Sequence, residues 1–264
     1  MRLLTWISLI LIVIVILSPI AWLFVLSIKP EAAIMSSPFG PFEPTFENYV
    51  AIFERFRLDV ATQTSLLIVF IVLAITVPIS TLAAYSLSRF PFRGAQWILI
   101  FLVFCRMMVP SILILPLFQV ISILGLRDTI WGVVLGHLSW TLPFAILILH
   151  GFCEEMPRDV EEAAQLDGLG VWGIFWKIVF PLMAPGVGVA SLFTFGTSWG
   201  EFLFAVAFST VDVRTGPVQI SLMTTQYKVW WGALAASGIY WSIPMMVMAI
   251  LFNRYMTRGL RLGF

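Results

Sequence analysis

Charge is what this sequence has least of. Asp, Glu, Lys and Arg make up 11% of its 264 residues, with a net charge of +1, whereas a soluble globular domain carries about 25%. Hydrophobic residues reach 60% and the mean hydropathy is +1.00, so the surplus apolar surface has to face lipid. No acidic or basic tail is present, and nucleic acid is not an expected partner. Cysteine is scarce too. Cys105 and Cys153 lie far apart in apolar runs and read as packing thiols, with neither a disulfide nor a metal expected. The two histidines, His137 and His150, share no carboxylate or cysteine at useful helical spacing, and a satisfied buried histidine is the ordinary case. There is no glycine-rich loop ending in Lys-Ser/Thr, no nucleophile–base pair and no evident repeat. The chain is therefore expected to hydrolyse nothing and to bind no cofactor of its own.

Long apolar runs are what is present. Six can cross a bilayer, at about 6–26, 65–87, 97–120, 131–151, 186–208 and 234–252. Each is about 20 residues, enough at about 1.5 Å per residue for a hydrocarbon core of roughly 30 Å. Each must be helical, because lipid offers free backbone groups no partner. The first run is too long for a signal-peptide core and reads as an uncleaved span. Pro110 and Pro116 interrupt the third span, while the fourth contains Pro143 and the sixth Pro244, so kinks are expected. The fold class expected is all-α polytopic, with six transmembrane helices in a single domain, 1–264. Arg2, Arg89, Arg93, Arg254, Arg258 and Arg261 fall in short segments on one side, which places both termini in the cytoplasm. The segment 152–185 then lies in the cytoplasm as well.

That segment is a polar island. Pro157 is placed to open a helix, and Asp159, Glu161 and Glu162 suit its first turn. Ala163 and Ala164 leave a shallow surface, Asp167-Gly168 breaks the helix, and Val171 to Val179 offers a second short one that Pro181 ends. On the second helix, Trp172, Phe175, Trp176 and Val179 are expected to share a packed face. An amphipathic connector on lipid headgroups is the plainer reading, but an acidic start suits an anionic membrane poorly.

The order Glu162-Ala163-Ala164, Gly168, Ile178, Phe180-Pro181 resembles the EAA loop of ABC importer permeases, with Phe180 where that family usually has Leu. The resemblance covers nearly the whole chain and narrows to the carbohydrate-uptake, maltose-type group. Asn48-Tyr49 after Pro44-Thr45, Ala83 to Phe90, Pro110, Pro116-Leu117, Leu124-Gly125-Leu126 with Asp128-Thr129, and Trp199, Glu201 and Phe202 carry it. Gly200 stands for the usual Asn. Arg254, Gly259 and Leu260 fit, while the small-residue ending common in the family is missing.

The resemblance implies an ABC importer permease fold with a coupling helix pair, forming half of a sugar translocation path in the inner membrane. It implies a second permease subunit, two cytoplasmic ATPases that carry ATP and Mg, and an extracytoplasmic sugar-binding protein. The coupling residues it implies are Glu162, Ala163, Ala164, Asp167, Gly168, Ile178 and Pro181. Glu162 would anchor by charge, Ala163 would allow close approach and Gly168 would make the turn.

Polar groups inside apolar runs are costly and usually face the bundle interior or a cavity. Arg106 and Glu201 are candidates to line the path or to pair across it, and an ion pair that fixes helix packing is the competing reading. His137, Trp140, Trp199 and Trp241 are further path candidates, since an indole can stack on a pyranose, although core packing is commoner for tryptophan. A secondary transporter or channel with no ATPase remains the alternative function, since proline-broken spans with buried charges suit it too.

Overall fold

The computed structural model describes residues 2–90, 92–209 and 212–259, with side chains at 5–90, 92–209 and 212–252. Leu260 and Arg261 lie outside the described residues, as do the side chains of Arg2, Arg254 and Arg258. The chain divides into two compact units, Met1–Gln63 with Gly216–Pro244 and Thr64–Thr215 with Met245–Phe264.

In the first unit, α1 (Arg2–Ser27) is followed by the short helices α2 (Glu31–Ser36) and α3 (Glu47–Glu54). Its core gathers Ile52 and the start of α4 (Leu58–Arg89), with Leu58 and Ala61, onto Met223, Ala233 and Ala236. The last two stand near the start of α13 (Trp231–Gly259). Lys29 is 1% exposed, and its ammonium donates to the carbonyls of Ser37, Pro38 and Gly40 at 2.6, 2.9 and 3.4 Å. Three carbonyl dipoles make that burial tolerable. Asn48 donates to the carbonyls of Ser27 and Lys29. Glu31 accepts from the Trp231 and Gly232 amides, where the α13 dipole favours an anion. Most of α1 is different: its apolar residues from Trp6 to Leu17 are exposed on every side.

The second unit contains most of α4, α5 (Ala95–Met107), α6 (Pro110–Ile123), α7 (Ile130–Glu154), α8 (Asp159–Leu166), α9 (Val171–Ile174), α10 (Phe180–Trp199) and α11 (Leu203–Phe208). A further helix, α12 (Gly216–Ser221), belongs to the first. Packing of α7 on α10 forms the spine, through a core that includes Ala145, Leu149, Cys153, Met183 and Ala190. Small residues let the two backbones approach, as suits helices that gain little from hiding apolar surface in lipid.

Two expected spans are divided. The third is α5 and α6, set at 104° to each other. Pro110 has no N–H for the Arg106 carbonyl, and the residue before a proline is pushed out of the helical region. Met108 and Val109 are accordingly extended, at φ/ψ −66/144 and −74/131. The fifth run breaks at Gly200–Phe202, between α10 and α11. Pro116, expected to interrupt the third span as well, does not: α6 runs through it, as α7 and α13 run through Pro143 and Pro244.

Candidate functional site

The polar island folds as an elbow. Its first helix, α8, begins at Asp159, two residues after Pro157, with Asp159, Glu161 and Glu162 in its first turn. Gly168 follows at φ +86, a left-handed conformation that a side chain disfavours. The second arm departs from expectation. α9 spans four residues, passes into a π-helical turn at Phe175–Val179 and continues as α10. Pro181 therefore does not end a helix. The widened turn displaces the carbonyl that a proline ring would strike in a regular helix. The expected packed face is also split: Phe175 and Val179 are buried, while Trp172 and Trp176 are 67% and 57% exposed.

The faces of α8 decide what each residue can do. Consecutive helical residues are turned by roughly 100°, so Glu161 and Glu162 cannot face the same way. Glu161 turns towards α4. One of its oxygens accepts from Arg89 Nε at 2.7 Å, and the other from the Tyr85 hydroxyl at 3.2 Å. Arg89 Nη2 donates to the Met156 carbonyl at 2.9 Å, Arg158 donates to the Ser88 carbonyl at 3.3 Å, and the Ser88 hydroxyl donates to Glu154. Ala164 also faces inward, buried in the core around Tyr85, Ile174 and Phe175. That corrects its expected place on an outward surface. Glu162, Ala163, Asp167 and Gly168 are exposed, as is Leu166 at 90%. Ile178 packs against the core and Pro181 is exposed. A cleft of about 220 Å³ opens beside Arg89, Phe90, Glu162 and Gln165.

Sequence reading missed Arg89 and Glu161 as a pair. Arg89 counted towards membrane orientation and the family resemblance, and Glu161 only towards the helix dipole. The available signal was the spacing Tyr85, Ser88, Arg89, which puts three polar groups on one helical face.

A second polar cluster lies within the apolar helices. His137 is 2% exposed, with Nδ1 at 2.7 Å from the Ser198 hydroxyl and Nε2 at 3.1 Å from Glu201. Glu201 also accepts from the backbone amides of Phe204 and Ala205 at 2.8 and 3.0 Å, capping α11. His137 thus bridges the two sides of the break between α10 and α11. Gly136 makes room for this, since a side chain there would enter the space of Phe204 and Phe208. Arg106 does not join the cluster. Its guanidinium sits 4.6 Å from the centre of the Trp140 ring and 4.3 Å from that of Phe144. Among the described residues no carboxylate is within ion-pair distance of it. The expected pairing of Arg106 with Glu201 is therefore absent, because Glu201 is already committed to His137 and α11. Trp199 is buried and stacked on Phe195 at 5.7 Å. Trp241 belongs to the first unit, where its ring lies over Gly216.

Residues 76–262 match the family described as "Binding-protein-dependent transport system inner membrane component". The chain is 34% identical to the trehalose/maltose transport system permease protein MalG of Thermococcus litoralis, over 99% of this chain and 96% of that protein. It is 35% identical to the trehalose transport system permease protein SugB of Mycobacterium tuberculosis, over 94% of this chain and 91% of that protein. Among solved structures, one chain of a bacterial ABC transporter involved in the import of the acidic polysaccharide alginate has a TM-score of 0.81 at 18% identity. The match covers 97% of this chain and 96% of that one, and it carries the fold. With a family match over most of its length and relatives above 30% identity end to end, the chain belongs to the inner-membrane components of binding-protein-dependent transport systems, a family of permeases and not of enzymes.

Proposed function

We propose that this chain is the membrane-spanning half of an ATP-driven sugar importer, and that the exposed face of α8 is where a cytoplasmic ATPase docks. The observation that carries the reading is the division of α8 into two faces. Glu161 and Ala164 secure the helix to its own bundle, while Glu162, Ala163 and Leu166 remain free for a partner. At about 100° per residue Glu162, Ala163 and Leu166 share one face of α8, a carboxylate, a small residue and an apolar side chain side by side for a partner groove. Asp167 closes α8 and Gly168 sets the bend, while Ile178 packs the second arm onto the core and Pro181 stands exposed on it. Relatives named for trehalose and maltose transport support a sugar as cargo.

The assembly in this reading contains a second permease subunit, two ATPases carrying ATP and Mg, and an extracytoplasmic binding protein, with both termini of this chain in the cytoplasm. Arg106 faces the translocation path from its aromatic seat. It stands eleven residues past Ala95, or about 16 Å along the helix, beside a break of the kind that transporters place at substrate sites. Trp140 supports it, while His137 and Glu201 fix the break between α10 and α11. Trp199 and Trp241 contribute packing.

Copurification from membranes tests the reading. The intact chain brings down an ATP-hydrolysing subunit, and Glu162→Arg or Ala163→Trp releases it while the permease pair stays together. A complex with no ATPase, driven instead by an ion gradient, would overturn the proposal in favour of a secondary transporter.

A further inference from the structure

The elbow could deliver movement to the bundle by two routes, and they differ in how they are built. One follows the chain from α8 into α10. It passes the Gly168 turn at φ +86 and then the π-helical turn Phe175–Val179. A π-helical turn replaces the regular α-helical bonding over one turn, and helices bend at such bulges. The other leaves the chain and crosses to α4 through side chains. Both oxygens of Glu161 are committed there, to Arg89 Nε at 2.7 Å and the Tyr85 hydroxyl at 3.2 Å. Arg158, at the opening of α8, donates to the Ser88 carbonyl at 3.3 Å. The same last turn of α4 holds the chain leaving α7, through Ser88 to Glu154 and Arg89 to the Met156 carbonyl. The Arg89 and Glu161 side chains are 7% and 13% exposed, so water and salt compete little for the pair. Ala164 adds apolar packing on the same side.

We infer that Arg89 and Glu161 form a clasp that makes α8 and the cytoplasmic end of α4 one rigid body, so that α4 is the span that receives the stroke of the motor. They are positioning residues: they touch neither nucleotide nor cargo, and they act by fixing where α8 is held. The inference rests on the reading of α8 as the ATPase docking helix. It goes further by naming the receiving span and the pair that fastens it.

The test uses the complete importer reconstituted in lipid, with Cys105 and Cys153 replaced and spin labels at the exposed positions Ile79 and Gln165. The expected Ile79–Gln165 distance is the same in the nucleotide-free and vanadate-trapped states. In Glu161→Ala the distribution broadens. There, stimulation of ATP turnover by the binding protein falls about tenfold, within the usual range of coupling between sites, while basal turnover and the KM for ATP are retained. A merely destabilised protein would lose basal turnover in parallel. If Glu161→Ala does not assemble, Glu161→Gln keeps the shape without the charge, and the distance in the unaltered protein still decides. A nucleotide-dependent change in that distance, or full stimulation in the assembled variant, overturns the clasp. Absence of any ATPase from the purified complex would instead overturn the docking reading beneath it.

Discussion

Arg89 and Arg106 each stand in the last turn of a helix, where the helix dipole favours a cation, yet the chain treats them oppositely. Arg89 has a carboxylate, a carbonyl and a hydroxyl from its own chain. Arg106 has two ring faces and no carboxylate within reach among the described residues. The first arginine is spent on holding the elbow in place. The second makes no ion pair among the described residues, and it is the one proposed to face the translocation path. Residues of one type at matching helix positions therefore differ in their partners, one ionic and hydrogen-bonded and the other aromatic.

Removing the scaffold arginine gives the largest expected effect. Arg89→Met leaves Glu161 buried without its counter-charge, and breaking one side of a buried pair costs about 3–5 kcal/mol. Thermal unfolding of the solubilised complex should show a marked loss; an unchanged midpoint would dissolve the contrast. Glu201 provides a sharper version, since its partners are also internal. Glu201→Gln weakens the bond to His137 and the cap of α11, for about 1–3 kcal/mol, read as lower unfolding temperature and earlier proteolysis around Gly200.

Arg106→Met should invert the pattern. Loss of its contacts with Trp140 and Phe144 costs about 0.5–2 kcal/mol, while uptake falls much further than stability does. Uptake measured beside the unfolding midpoint tests this, and proportional losses would return Arg106 to the scaffold. The smallest effect on folding belongs to Glu162→Ala: no measurable shift in the unfolding midpoint, with ATPase copurification reduced.

Composition already carried the helical membrane character, and the spacing from Glu162 to Pro181 carried the position of the elbow. What stayed hidden depended on rotation and on bond partners. Nothing in the pair Glu161-Glu162 says which carboxylate turns inward until α8 is set against Tyr85 and Arg89. Ala163 and Ala164 are likewise indistinguishable until one of them is buried. Pro110 signalled a disturbance, but not that it would turn the chain by 104°, because a proline tolerated within α7 and α13 obeys the same local chemistry. Pro181 misled for a related reason: whether a proline stops a helix depends on the winding of the turn before it, and that winding is settled by how Phe175 and Val179 pack.

The bare flank of α1 has its own consequence. Between Trp6 and Leu17 every large residue looks outward, and nearer its far end the helix meets its own unit, where Leu23 lies close to Gly238, Trp22 faces Phe39 and Ser27 meets Tyr49. Along that stretch one greasy residue can replace another at little cost, whereas adding or deleting a turn cannot pass unnoticed. Its apolar length has to match the hydrocarbon thickness it crosses, and each ångström of mismatch costs a fraction of a kcal/mol, so its length is held more tightly than its sequence.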